Sequence, residues 1–403
     1  MHKRILSTIE GFFFCWYDRS SGNVCIEGDI ELYKYLVVIG IIFVVILLIC
    51  IGFVFWLNSA SPAYVSKKLT NKNMQSSIVF IENGEKRLAI DSEKLMPLAS
   101  TVKIVVAIEY AFQIEEDKLD PDELIKLSEL EVYYIPNLDG GAHEAWLEYV
   151  KEKDLNKDDC VSLREVARGM IAFSSNANTE YMMEKLGIEN IEKRMQDLGI
   201  VKHTSLYYFT SSLFIPYELK KREHPDVAME EAKSKIIQEM RMMEEEDWIH
   251  LANFIHEELK NNPDYKLNAN ITEWWDTDID RIFSETFISS TTSEYARIMK
   301  MINDKKFPTI AQEELEYVLG IMMENEANQE WLNRAGKKGG STQYILTDAL
   351  FAEDKEGNKY ELAIFFNDLK WYEAYKLMKS LNEFELKLLT DKSFREELIE
   401  KDF

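Results

Sequence analysis

From Leu36 to Leu57 the chain carries no charge and is dense in Val, Ile, Leu and Phe. As a helix rising 1.5 Å per residue this run is about 33 Å long, enough to cross a hydrocarbon core of about 30 Å. Tyr33, Tyr35 and Trp56 mark its edges, where amphipathic rings favour the membrane interface. The pattern predicts one transmembrane helix over residues 36–57. A cleaved signal peptide fits less well: the run is too long and starts late, and only Ala60 and Ala63 hint at a cleavage site.

Residues 1–35 precede this span and 58–75, rich in Ser, Pro, Asn and Lys, follow it as a tether. Ile78 to Ile90 then has the pattern of a hairpin, with Asn83-Gly84 between two apolar runs. From about Ala99 to Tyr317 the apolar spacing is helical. Ser162 with Glu165 suggests an N-terminal cap, and Gly187 a stop after Leu186. Asp226 to Lys260 has the pattern of a long, charged, Met-rich helical stretch. Near the C-terminus the period changes. Thr342 to Ala352 and Tyr360 to Asn367 predict a second hairpin, turning at Asp354–Asn358, and a last helix starts near Leu369.

A lone hairpin is marginal in water. One antiparallel sheet joining both hairpins, flanked by helices, is the economical arrangement. The expected fold class is therefore α+β, a single domain over 76–403 with sheet strands from both of its ends, plus the transmembrane helix.

Charge narrows the function. The net charge of −24 excludes a basic nucleic-acid surface, so no nucleic-acid partner is expected. Much of the acid is interspersed with lysine, as in Met229 to Asp247, the pattern of a solvated helix face. Cys15, Cys25 and Cys50 lie before or within the apolar span, leaving only Cys160 in the domain. That domain has no internal disulfide and depends on its core.

Three short segments carry chemistry. In Pro97-Leu98-Ala99-Ser100-Thr101-Val102-Lys103, Ser100 opens an apolar helix, where free N–H groups favour developing negative charge. Lys103 lies three residues on, on the same face. Burial lowers a lysine pKa, and a neutral amine takes a proton from a serine hydroxyl. Alone, the pair equally fits a helix cap and a snorkelling lysine. In Phe173-Ser174-Ser175-Asn176-Ala177-Asn178, a hydroxyl and a carboxamide are presented at a break in a helical segment. In Lys337-Lys338-Gly339-Gly340-Ser341, a lysine suits a carboxylate and the glycines allow close approach to a strand edge.

Ser-x-x-Lys, Ser-x-Asn and Lys-x-Gly in this order resemble the penicillin-recognising serine hydrolases, most closely the class A β-lactamase-like group, over roughly residues 76–380. The resemblance implies that Ser100 is the acylated nucleophile and Lys103 its base or proton relay. It implies that Ser174 shuttles a proton, Asn176 holds the substrate amide and Lys337 binds the substrate carboxylate. The N–H groups of Ser100 and Gly340 would form the oxyanion hole, with Ser341 lining the cleft. Two registers stay open: Asn178 in place of Asn176, and Lys338 in place of Lys337, which moves the hole to Ser341.

The sequence also departs from the family. The family's β-lactamases carry a Glu-x-x-Leu-Asn pattern whose Glu activates the deacylating water. Leu206 to Pro216 has no acid, and Glu218 is a weak substitute. The interval from Ser174 to Lys337 is longer than in the family, with an acidic helical insertion over about 218–280. Asp139-Gly140-Gly141 suits either a plain surface turn or a shaped wall of the cleft. No metal or other cofactor is expected. His250 and His256 lack ligand spacing, and the calcium-like run at Asp276 has Arg281 where glycine is needed.

The resulting expectation is a single-pass cell-membrane protein, with residues 1–35 cytoplasmic and the domain outside. It acts on β-lactams or D-alanyl cell-wall peptides as a serine hydrolase, with efficient β-lactam turnover in doubt. Rival expectations are a penicillin- or peptidoglycan-binding sensor without turnover, and an esterase or peptidase on another substrate.

Overall fold

The uncharged run folds as one helix, α1 (Ile30–Asn58), in the computed structural model, which describes residues 15–16, 24–25, 30–136 and 138–400. Between Lys34 and Asn58 this helix is long and apolar enough to cross a membrane, and none of that window is buried within the protein. It belongs to a unit of its own, Met1–Ser59, distinct from Ala60–Phe403. Most of the segment 1–35, expected to be cytoplasmic, lies outside the described residues.

The stretch expected to be a tether is partly folded. Residues Pro62–Leu69 form α2, capped by Ser61, which accepts from the Tyr64 N–H at 3.3 Å. Proline suits the first helical turn, where its missing N–H costs nothing. Val65 and Leu69 are buried. Polar composition hid an element whose buried Val65 and Leu69 lie four apart, on one face.

The first hairpin forms as expected: β1 (Gln75–Glu82) pairs with β2 (Glu85–Ile90), and Asn83 and Gly84 both have positive φ. After it come α3 (Lys103–Glu115), α4 (Ala142–Glu152) and α5 (Asn176–Leu186). Ser162 caps its helix as expected, but Glu165 bonds with the Tyr317 hydroxyl. The charged stretch after Pro225 is helical as expected, in two helices, α6 (Met229–Met242) and α7 (Glu245–Asn261). The acids Glu245, Glu246 and Asp247 favour a new N-terminus there. Next come α8 (Thr277–Glu285), α9 (Thr292–Asn303) and α10 (Thr309–Leu319).

Three strands close the sheet: β3 (Leu332–Ser341), β4 (Leu346–Asp354) and β5 (Lys359–Asn367). They are followed by α11 (Trp371–Thr390), the helix expected to start near Leu369. The order is β2-β1-β5-β4-β3, every pair antiparallel. The third motif lies within β3, a strand that its glycines and charges concealed.

Alternation along the strands explains the layers. Val79, Ile81, Phe351 and Phe365 join one core cluster with α3, α9 and α10. Ile78, Phe80, Leu362 and Phe366 join the other, with α2 and α11. The sheet is thus covered on both faces, and its edge strand β3 lies next to the turn that carries Ser100. The architecture is α+β: an antiparallel sheet from both ends of the domain, flanked by helices.

Candidate active site

The Ser100 turn is held by β4. Thr347 donates to Leu98 O at 2.7 Å, and its hydroxyl lies 2.8 Å from that of Thr101. Ala99 takes φ 43, a backbone conformation rare for a side-chain-bearing residue, and enters the tight turn Ala99–Val102 ahead of α3. Ser100 is half-buried and lines two cavities, of about 500 and 220 Å³.

Gly340 of β3 abuts this turn. A Cβ there would lie 2.5 Å from Ser100 N and 2.7 Å from Leu98 O. Only glycine lets the edge strand approach the Ser100 amide so closely.

Lys103 is fully buried. Its ammonium donates to Ser174 O at 2.7 Å, Asn176 Oδ1 at 2.8 Å and Ser174 Oγ at 3.2 Å. None of these bonds goes to Ser100. Burial, and then the nearby Lys338 charge, hold its pKa well below the usual lysine value. The ring of Phe209 sits 5.8 Å from the same nitrogen.

The second motif follows a π-helical turn, Gly169–Phe173, and Ser174 terminates it with φ 69. Such single wide turns and positive φ values are costly unless the surroundings enforce them. Here Ser175 locks the next turn. Its hydroxyl accepts from Asn178 N at 3.2 Å and contacts His143 Nδ1 at 2.8 Å. Asn178 is fully buried and bonds Val166 O. Of the two open registers, Asn176 is therefore the one that faces Lys103 and both cavities.

The third motif gives its two lysines different partners. Lys337, expected to face a substrate carboxylate, lies on the α11 side of β3. Its ammonium bonds Asp348 at 2.8 Å, Asn382 at 2.9 Å and Glu385. Lys338 points the other way, donating to Ser174 Oγ at 2.9 Å and Gly339 O at 2.7 Å. Successive strand residues face opposite sides, so the two lysines take different partners; Lys337 also lines the larger cavity. Burial lowers the Lys338 pKa to about 7. With Lys338 in the first position of the motif, Gly340 becomes the close-packing residue, and Ser341 takes the place expected for the oxyanion N–H.

The Asp139 segment is a wall of the larger cavity and more than a surface turn. Leu138, Asp139, Gly140 and Ala142 line it. The Asp139 carboxylate accepts the N–H groups of Gly141, Ala142 and His143 at 3.1–3.2 Å, fixing the start of α4.

Opposite lies the loop 206–214. Glu180 of α5, fully buried, accepts from Thr210 N at 3.2 Å and Ser211 N at 2.9 Å, and faces His256 of α7 at 3.4 Å. This anchoring presents Phe209 to Lys103. Glu218 lines neither cavity; it bonds Arg222 at 2.6 Å and Tyr265 at 2.8 Å.

The family model described as the β-lactamase enzyme family matches residues 63–383. The chain belongs to the β-lactamase enzyme family. It thereby falls among the penicillin-recognising serine hydrolases. Similar solved structures include a class A β-lactamase representative from Bacteroides cellulosilyticus DSM 14838, at 15% identity and TM-score 0.47, covering 83% of this chain and 100% of that one. A β-lactamase from Chitinophaga pinensis DSM 2588 has 12% identity and TM-score 0.48, covering 80% and 97%. None of the curated proteins searched matches the chain.

Sequence reasoning missed Phe209, the Thr101–Thr347 tie and Asp280, which lines the smaller cavity. Hydrophobic loop residues and strand threonines carry no chemical signature, so no signal marked them.

Proposed function

We propose that this protein is a membrane-anchored serine hydrolase of the β-lactamase class, with its domain outside the cytoplasm, that forms an acyl-enzyme at Ser100 on β-lactams or D-alanyl cell-wall peptides. The observation that carries this reading is Ser174, bonded by both Lys103 and Lys338 beside Ser100.

Neutral Lys103 takes the Ser100 proton as Oγ attacks the substrate carbonyl carbon. The carbonyl oxygen becomes an oxyanion held by the N–H groups of Ser100 and Ser341, at the start of α3. As the scissile C–N bond breaks, Ser174 gives its proton to the leaving nitrogen and is reprotonated from Lys103. Lys338 receives the substrate carboxylate and Asn176 the acyl-side amide.

Release is the slow half. No carboxylate lies in the segment 206–216, and the Phe209 ring packs 5.8 Å from the Lys103 nitrogen. The same observation favours a second reading, a penicillin- or peptidoglycan-binding sensor that stays acylated. Intact-mass spectrometry of the protein with benzylpenicillin over time separates the two. A Ser100 adduct that disappears within minutes supports the hydrolase, and one that persists for hours supports the sensor. Labelling of the Ser100→Ala variant equal to wild type removes both.

A further inference from the structure

The smaller cavity, of about 220 Å³, runs from Ser100 and Asn176 to α8 and is walled by Phe209, Trp275, Phe283 and Phe287. One carboxylate lines it, Asp280. The other carboxylates beside Ser100 are occupied: Asp139 by three backbone N–H groups and Asp348 by Lys337. Asp280 is different. Among the described residues its side chain has no hydrogen bond and no ion pair.

The surroundings explain why it stands free. Asp276, one turn earlier, caps α8 by accepting from Asp278 N and Ile279 N at 3.0 and 3.1 Å, and it takes Lys233. The adjacent Arg281 is held by Glu285 at 2.8 Å and Asp368 at 2.6 Å. Nothing local therefore neutralises Asp280, and burial pushes its pKa up to about 6. A carboxylate partly withdrawn from water among aromatic rings favours a cation beside it. The same combination of negative charge and ring faces recognises ammonium groups.

We propose that this cavity is a subsite for a primary ammonium group on the acyl side of the substrate, with Asp280 as its counter-ion and the aromatic rings around it. The acyl side follows from Asn176, which lines this cavity, and rests on the reading of Ser100 given above. The ammonium supplies the missing partner of Asp280.

Binding tests the subsite without any reaction. The full-length Ser100→Ala variant in detergent is titrated calorimetrically with Nα-acetyl-L-lysyl-D-alanyl-D-alanine and with its Nε-acetylated counterpart. The free amine binds on the order of tenfold more tightly. Adding Asp280→Asn brings the ratio to about one, while Asp280→Glu keeps the preference. Equal affinities for the two peptides, no binding of either, or a ratio that survives Asp280→Asn overturns the subsite. If the ratio behaves as stated but wild-type protein is never acylated by benzylpenicillin, the subsite stands and the acyl-enzyme reading falls.

Discussion

Lys338 donates to Ser174 Oγ at 2.9 Å, and that one bond joins the edge strand of the sheet to the break between two helices. It also separates two lysines that the sequence leaves interchangeable. Lys338 shares Ser174 with Lys103, whereas Lys337 is held by Asp348 and Glu385 on the far side of β3.

The two lysines therefore fail differently when removed. Lys338→Met slows acylation of Ser100 by penicillin by about a hundredfold or more, the scale of losing one charge-stabilising donor. Lys337→Met leaves Asp348 and Glu385 buried without their cation, at a cost of about 3 kcal/mol in stability. Stopped-flow acylation and urea unfolding of both variants check this. The reverse pattern would make Lys337 the lysine that holds the substrate carboxylate.

Acylation depends on pH in a direction set by Lys338. Its pKa lies near 7, lowered from the usual lysine value by burial, so its charge is lost as pH rises through 7. The second-order acylation rate reports the free protein. For a carboxylate-bearing penicillin it falls above pH 7, by as much as about tenfold per unit. An uncharged thioester donor shows no such fall. Parallel pH profiles for the two donors would show that Lys338 does not hold the carboxylate.

Gly340→Ala places a methyl group 2.5 Å from Ser100 N. The edge strand must move away from the Ser100 turn. Overpacking of this kind costs about 1–3 kcal/mol, and it displaces Ser341 from the oxyanion. The expected outcome is a folded protein with a lower melting temperature and acylation at least tenfold slower. An alanine variant with wild-type labelling would show that β3 does not complete the site.

Leu69→Ala tests whether the segment before the sheet is part of the fold. Leu69 is 3% exposed. Truncating such a residue costs about 2–4 kcal/mol, whereas the same change in a tether costs nothing. Thermal unfolding of the variant decides between them.

Much of the fold was legible because it rests on periodicity. The first hairpin announced itself through Asn83-Gly84, and the uncharged run to Leu57 through its length. Other elements were hidden by ordinary causes. Pro62–Leu69 contributes only a few apolar residues to its buried face, too few to stand out from a polar stretch. β3 carries Arg334, Lys337, Lys338, Gly339 and Gly340, whose composition belongs to a turn. It is a strand because β4 pairs with it residue by residue.

The sequence by itself determined which segments hold the chemistry: Ser100 with Lys103, Ser174 with Asn176, and the lysine pair with its glycines. Spacing along a helix or turn is local, and residue type is read directly. Tertiary structure decided which partners each member of the ambiguous pairs takes. Lys338 reaches Ser174 while Lys337 reaches Asp348 and Glu385, because strand side chains alternate and the pairing of β3 with β4 fixes the phase. Asn176 faces Lys103 while Asn178 is consumed by Val166 and Ser175. The free carboxylate of Asp280 belongs to the same class of fact. Whether a charge has a partner depends on residues far away in the chain, and only their folded arrangement shows it.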